Sequence, residues 1–187
     1  MLSRRRALSL LALSALFLLV SPAAKGGVAR AIELGELVRA SESVVVGTAV
    51  ESLAQWETLG KQRRIVTYTR VRIDQQVAGA PASGELWVRT LGGRVGKIGQ
   101  IVHGEARLFA GRPALLFLEL HGPGVHRVVA LAQGHFPLKA DAKGELRLET
   151  SPELSVLYGA DRSAARRLKG RTLTEAQALI KAAAADR

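Results

Sequence analysis

Arg64-Ile65-Val66-Thr67-Tyr68-Thr69-Arg70-Val71-Arg72-Ile73-Asp74 is the stretch of sequence that decides the fold class. From Ile65 to Ile73 the odd-numbered positions all carry β-branched residues, whereas four of the six even-numbered positions from Arg64 to Asp74 carry charged ones. This period of two is typical of a strand with one buried face and one face in water. We therefore predict a half-buried strand over Arg64–Val77, in a sheet that has an exposed side.

Further segments on either side of this strand are rich in β-branched and apolar residues and are bounded by turn residues, which predicts more strands. They are Val44–Val50, Glu85–Leu91, Pro113–Leu120, Val125–Ala132 and a final hairpin made of Phe136–Leu138 and Glu145–Glu149. Gly47 predicts a bulge or a bend within its strand. The unbroken apolar run Ala114–Leu118 predicts a strand at the centre of the sheet.

Helical patterns occur only near the two ends of the predicted strand region. Apolar residues at helical spacing over Glu33–Ser41 predict a short amphipathic helix. Thr172 and Glu175 form a capping-box pattern in front of an alanine-rich segment. Strands that do not alternate with helices argue against a parallel α/β sheet. We therefore predict a mainly β protein, a small antiparallel β-barrel that could be OB-like, with a short N-terminal helix and a C-terminal helix.

The first residues have the pattern of a cleavable export signal. Arg4–Arg6 precede the apolar segment Ala7–Val20, which is shorter than the roughly 20 residues of a membrane-spanning helix. Ala29-Arg30-Ala31 fits the A-x-A rule and favours cleavage after Ala31, with cleavage after Ala23 as the alternative. We predict a signal peptide over 1–31, a β-barrel domain over 32–150, and a basic connection with the C-terminal helix over 151–187. The mature chain is then periplasmic or secreted, with no stable membrane span.

Composition excludes several kinds of chemistry. The chain has no cysteine, so disulfides, thiolate metal sites and cysteine nucleophiles are ruled out. A mature domain of about 155 residues can bury enough core to fold without disulfides. Removing the five basic residues of the predicted signal lowers the formal net charge from +11 to +6. Such a charge suits weak attraction to acidic partners and does not indicate nucleic-acid binding.

The most unusual segment is the glycine-rich Leu91–Gln100, which also contains Arg94 and Lys97. One interpretation is a loop that presents backbone N–H groups and positive charge to an anion. The other is a sharply turning connection with solvated charges, because the spacing does not match a phosphate-binding loop. If the chain has a ligand-binding surface, we predict that it is the Gly92–Gly104 loop with Arg94, Lys97 and His103.

Catalytic and metal-binding patterns are weak. The four histidines lack the spacing of a zinc site, and no G-x-S-x-G motif is present. His103 and Glu105 are the best available acid/base pair, although such proximity is common by chance. We therefore predict no catalytic residue, no metal and no cofactor. The basic stretch Arg162–Arg171 fits contact with anionic lipid or an acidic partner, and equally a flexible solvated connection.

Several segments together resemble known exported proteins. They are Ser43–Gly47, Tyr68–Ile73, Val77–Gly79, Leu86–Thr90 and Phe109–Leu118. Over roughly residues 36–134 the chain resembles a group of uncharacterised exported bacterial β-rich proteins. It is also similar to the netrin-like module of tissue inhibitors of metalloproteinases, which is an OB-type barrel with a helix. Those inhibitors depend on an N-terminal cysteine and disulfides that this chain lacks, so no inhibitory residue is carried over.

Taken together, these patterns predict an exported, non-catalytic module that binds another envelope or secreted protein. The resemblance implies the barrel-like fold and a binding role, and the weak catalytic patterns point the same way. Two alternatives stay open at this stage. One is an exported protease inhibitor or accessory protein, and the other is an exported hydrolase with a non-standard site.

Overall fold

The computed structural model describes residues 28–82 and 84–185, so most of the predicted signal peptide lies outside the described residues. The strands are β1 (Ala29–Arg30), β2 (Ser43–Leu59), β3 (Gln62–Gly79), β4 (Glu85–Leu91), β5 (Gly93–Val95), β6 (Ile98–Gln100), β7 (Pro113–Gly122), β8 (Val125–Val128), β9 (His135–Ala140), β10 (Leu146–Leu148) and β11 (Leu157–Tyr158). The α-helices are α1 (Leu34–Ala40), α2 (Ala164–Leu168) and α3 (Leu173–Ala185). The prediction of a mainly β protein with helices near both ends is confirmed.

Seven strands form one sheet in the order β10-β9-β7-β2-β3-β4-β8. Because β7 also pairs with β8, the strands β2, β3, β4, β8 and β7 close into a ring. The first three are antiparallel neighbours, and β7 returns by a long connection to lie beside β2, which is a Greek-key arrangement. The ring closes through a short parallel pairing of β4 with β8, at Trp87 with Val125 and Val88 with His126.

Two hydrophobic clusters lie on opposite faces of this sheet. The cluster inside the ring includes Val45, Val71, Val88, Leu116 and Val128. The cluster between the sheet and the helices includes Leu37, Val44, Phe117, Leu168 and Ile180. Neighbouring residues of β7 therefore contribute to different clusters, which makes this strand buried on both faces. That double burial explains the unbroken apolar run and confirms the predicted central strand.

The C-terminal helix begins as its capping box predicts. The Thr172 N–H donates to Glu175 Oε2 at 2.8 Å, and the Glu175 N–H donates to Thr172 Oγ1 at 3.2 Å. Helix α2 was not predicted, because it lies in the stretch that we interpreted as a basic connection. Its first turn is capped by Ser163, whose Oγ accepts from the Arg166 N–H at 3.1 Å, and Leu168 is fully buried.

The hairpin of β2 and β3 is much longer than predicted. The predicted strand ended at Val50, whereas β2 continues to Leu59 and turns at Gly60 into β3. Most side chains in this extension are exposed or half-buried, so the sequence shows no hydrophobic alternation there. The bulge predicted at Gly47 is confirmed by a shift of register between Val46 and Gly47.

The strand predicted over Val125–Ala132 is shorter than expected. β8 ends at Val128, and Ala130 and Leu131 then take the left-handed conformation, with φ angles of 52° and 58°. Such angles are rare for residues with a side chain and do not occur in a strand. The chain turns here through a 3-10 segment, Leu131–Gly134, into β9.

Candidate functional site

A groove with a volume of about 400 Å³ opens beside β2, β3 and β4, where the ring meets the hairpin of β5 and β6. We call it the ring groove. Residues of the three strands, of the β5–β6 hairpin and of the segment 101–109 line it. Thr69 lies on the same face of β3 as Val71, which belongs to the cluster inside the ring. The groove is therefore a continuation of the interior of the ring.

Hydroxyl groups replace aliphatic side chains where the interior of the ring reaches the groove. Ser52 Oγ and Thr69 Oγ1 are hydrogen-bonded at 2.9 Å. Thr67 Oγ1 donates to the Gly92 carbonyl at 2.7 Å. Thr90 also lines the groove. This end of the ring interior therefore presents hydroxyl groups to the groove.

The β5–β6 hairpin is held close to β3. The Gly92 N–H donates to the Ile65 carbonyl at 2.8 Å, and the Ile65 N–H donates to Gln100 Oε1 at 2.9 Å. Gly93 has a φ of 127°, and a Cβ there would lie 2.2 Å from Thr67 Oγ1. Only glycine allows this approach, so the glycine-rich sequence serves to seat the hairpin over the sheet.

The structure does not gather the three predicted ligand-binding residues at one point. Arg94 lines the ring groove, and its Nε donates to the Gly96 carbonyl at 3.0 Å. Lys97 is exposed in the turn between β5 and β6. His103 is exposed and lines two other cavities, in the company of Ser155. The predicted loop is therefore a hairpin followed by a separate segment, and of the three residues Arg94 belongs to the ring groove.

Two further groove residues were not singled out by the sequence. Phe109 lines the groove, and 49% of it is exposed. The Arg107 guanidinium lies 5.1 Å from the centre of the Phe109 ring and 3.0 Å from the Glu153 carboxylate. The usable sequence signal was the pair Thr67 and Thr69, two hydroxyl residues at inward positions of a strand that otherwise carries isoleucine and valine there.

Glu105 is a buried structural residue. Only 5% of it is exposed, and burial raises the pKa of its carboxyl group. The backbone N–H groups of Leu91 and Ala106 donate to this carboxyl. β8 pairs with β4 only at Trp87 and Val88. Beyond that pairing, the Glu105 carboxyl accepts the Leu91 N–H of β4, as the carbonyl of a neighbouring strand would. Within the described residues, no hydrogen bond or ion pair joins it to His103, so the acid/base pair is not assembled.

A charged cluster stiffens the outer side of the β2–β3 extension. The Arg89 guanidinium lies 2.8 Å from the Glu57 carboxylate, which also accepts from the Tyr68 hydroxyl at 2.7 Å. Burial raises the pKa of Glu57, but the hydrogen bonds from Tyr68 and Arg89 outweigh it and hold that pKa below its ordinary value. This cluster links the extension to β4, so the hairpin is braced along its outer face.

Over residues 28–82 and 84–185, no group of three or more histidine or acidic side chains could hold a metal ion. Within the same ranges, no helix has both the length and the apolar character needed to cross a bilayer. Comparisons with family models, with curated proteins and with solved structures found no match. The two resemblances stated above stay predictions, and the site is interpreted from its own geometry.

Proposed function

We propose that this protein is an exported, non-catalytic module that binds a segment of another envelope or secreted protein in the ring groove. The observation that carries the proposal is the composition of the groove. Hydroxyl groups line its inner end, and two arginines and exposed apolar side chains line its outer end. Ile101 is 72% exposed and Phe109 is 49% exposed. Aromatic side chains and arginine beside hydrogen-bonding groups are typical of the centre of a protein–protein interface.

We propose further that the ring is an OB-type barrel. An OB fold is a five-stranded Greek-key barrel that binds ligands on the face of its second and third strands. The ring here has five strands in a Greek-key order, and its second and third strands along the chain are β3 and β4. Both strands line the ring groove, which supports a binding role for this face.

For export, we propose cleavage after Ala23 rather than after Ala31. The short strand β1 pairs in parallel with β11, and the Ile32 N–H donates to Gln133 Oε1 at 2.9 Å. The Gln133 amide in turn donates to the Arg30 carbonyl at 3.0 Å. Cleavage after Ala31 would remove β1, whereas cleavage after Ala23 keeps it.

The test of the proposed function is a pull-down with the processed protein from the envelope and secreted fractions of the cells that produce it. The wild type is compared with the variant Phe109→Ser and with the control variant Leu146→Ser. Leu146 is a half-exposed apolar residue on β10 that does not line the groove. We expect one partner to be retained at moderate salt by the wild type and by Leu146→Ser. Phe109→Ser should retain it at least about tenfold less well, as for a residue central to an interface.

A charge-matched basic protein is the control for non-specific capture in the same pull-down. Equal retention of the partner by Phe109→Ser would contradict binding in the groove. Recovery of only those proteins that the basic control also recovers would contradict the binding module as a whole.

A further inference from the structure

We propose that the partner segment binds as an additional β-strand along an open edge of β2, and that this segment is acidic. The inference rests on the proposed function and specifies how the groove is used. Strand addition lets main-chain hydrogen bonds supply affinity while alternate side chains supply specificity. The observations that carry it are the pairing of β2, the direction of its backbone groups and the charges around the ring groove.

The second half of β2 is an open sheet edge. β7 pairs with β2 only from Ser43 to Thr48, and the Gly111 N–H then donates to the Ala49 carbonyl at 2.8 Å. Over Glu51–Leu59, β2 pairs only with β3 within the described part of the chain. At about 3.3 Å per residue this edge is about 30 Å long, enough for a segment of up to about nine residues.

The hydrogen bonds of β3 show which backbone groups of β2 face the open edge. Both backbone groups of Ile65 point away from β2, since they bond to Gly92 and to the Gln100 side chain. Ile65 is opposite Trp56, so this pair is a non-hydrogen-bonded pair of the antiparallel ladder. Because the two kinds of pair alternate along the ladder, every second residue of β2 turns its N–H and C=O toward the open edge. These residues are Ser52, Ala54, Trp56 and Thr58.

This edge lacks the usual protection against strand pairing. Exposed edges are normally blocked by lysine, proline or inward-pointing charges, yet Glu51–Leu59 contains no lysine, arginine or proline. Its two glutamates are held on the outer face, Glu51 at 2.9 Å from Arg70 and Glu57 at 2.8 Å from Arg89. The open edge therefore carries none of the lysine, arginine or proline residues that usually block an incoming strand.

The charges around the ring groove select the kind of segment that binds. Arg94 lines the groove, and Lys97 and Arg112 are exposed close to it in the chain. Arg107 also lines the groove but is paired with Glu153 at 3.0 Å. Within the described residues, no acidic side chain forms an ion pair with Arg94 or Lys97. A second copy of this chain would place its own basic residues against those around the ring groove of the first copy. An acidic segment of a different protein is complementary, and its alternate side chains would enter the groove beside Ser52.

The experiment uses a displayed library of random nine-residue peptides, selected on the processed wild-type protein. We expect the enriched peptides to carry Asp or Glu and apolar residues at alternate positions. With one such peptide bound, hydrogen exchange followed by NMR should slow at the amides that face the open edge. It should change little at Leu53 and Gln55, whose amides face β3. These two sets of amides are interleaved along one strand, so side-chain binding alone cannot produce the pattern.

Matched variants separate main-chain pairing from side-chain contact. Ser52→Pro removes a donor from the open edge without removing a bond to β3, and proline is tolerated at such an edge. Ser52→Val loses the same hydroxyl but keeps the N–H. We expect Ser52→Pro to bind the peptide about tenfold more weakly than Ser52→Val, because the two variants lose the same hydroxyl and differ in the backbone N–H. Circular dichroism and thermal unfolding establish that both variants are folded, and Thr58→Pro with Thr58→Val serves as a second pair.

Several results would overturn the proposal. One is that no peptide is enriched by selection on the wild type relative to selection on Ser52→Pro. Another is that the two Ser52 variants bind the selected peptide with equal affinity. A third is that the enriched peptides carry no acidic residues. Slowed exchange that grows with protein concentration in the absence of peptide would instead assign the edge to a second copy of this chain. Retention of a partner in the pull-down together with unslowed exchange at the edge amides would overturn strand addition alone and leave the binding module standing.

Discussion

Replacing Gly93 with alanine is expected to weaken partner binding strongly while leaving the ring folded. The added Cβ would lie 2.2 Å from Thr67 Oγ1, and the φ of 127° is strained for any residue with a side chain. The β5–β6 hairpin must therefore move away from β3, which removes one side of the ring groove. We expect partner affinity to fall at least about tenfold and the free energy of unfolding to fall by about 2 kcal/mol.

The matched control for this prediction is Gly96→Ala in the turn of the same hairpin. Gly96 also has a positive φ, of 59°, but no atom lies within 4 Å of a Cβ built there. Its replacement should lower the free energy of unfolding by about 1 kcal/mol and leave the groove intact. Isothermal titration with the captured partner, together with chemical denaturation, measures both quantities. Equal binding by the two variants would show that the position of the hairpin does not matter.

The second large effect is a loss of stability in acid caused by His135. Only 4% of this residue is exposed, and its Nδ1 lies 3.1 Å from Ser151 Oγ. Burial lowers the pKa of His135 from 6.5 to about 4. Below pH 6.5 the unfolded chain therefore binds a proton that the folded protein does not bind, and the folded state loses stability as the pH falls toward 4. The contribution is about 3 kcal/mol between pH 7 and pH 4.

Chemical denaturation at pH 7, pH 5.5 and pH 4 measures this dependence, and His135→Gln is the variant that removes it. The raised pKa of Glu105 acts in the opposite direction, because its protonation in acid relieves the burial of a carboxylate. The comparison with His135→Gln isolates the histidine from this opposing effect. We expect the wild type to lose about 3 kcal/mol more than the variant over this range. An equal loss in both proteins would contradict the assignment.

Much of the strand content could be predicted because it follows from burial along one chain segment. The alternation around Arg64–Val77 reports a strand buried on one face, and the run Ala114–Leu118 reports a strand buried on both. The capping box at Thr172 was equally local. Each of these patterns is complete within 14 residues or fewer, so no knowledge of distant contacts is needed to recognise it.

The longer hairpin, the ring and the groove depend on relations that the local sequence does not contain. Residues 51–58 form a strand mostly exposed to water, and they show no hydrophobic period. Closure of the ring through β4 and β8 joins segments almost 40 residues apart, at Trp87 and Val125. The groove combines Ser52, Thr67 and Phe109, which come together only after that closure. The sequence analysis therefore singled out Arg94, which lines the groove, but could not identify its neighbours in space.

The most direct test of the central claim is site-specific photo-crosslinking in the cells that produce the protein. A photoreactive amino acid replaces Ile101 in the ring groove in one variant and Leu146 on β10 in the other, both of which are exposed apolar positions. The account predicts one discrete crosslinked adduct with another exported protein at position 101 and none at position 146. No adduct at position 101, or the same adducts at both positions, would contradict binding in the ring groove.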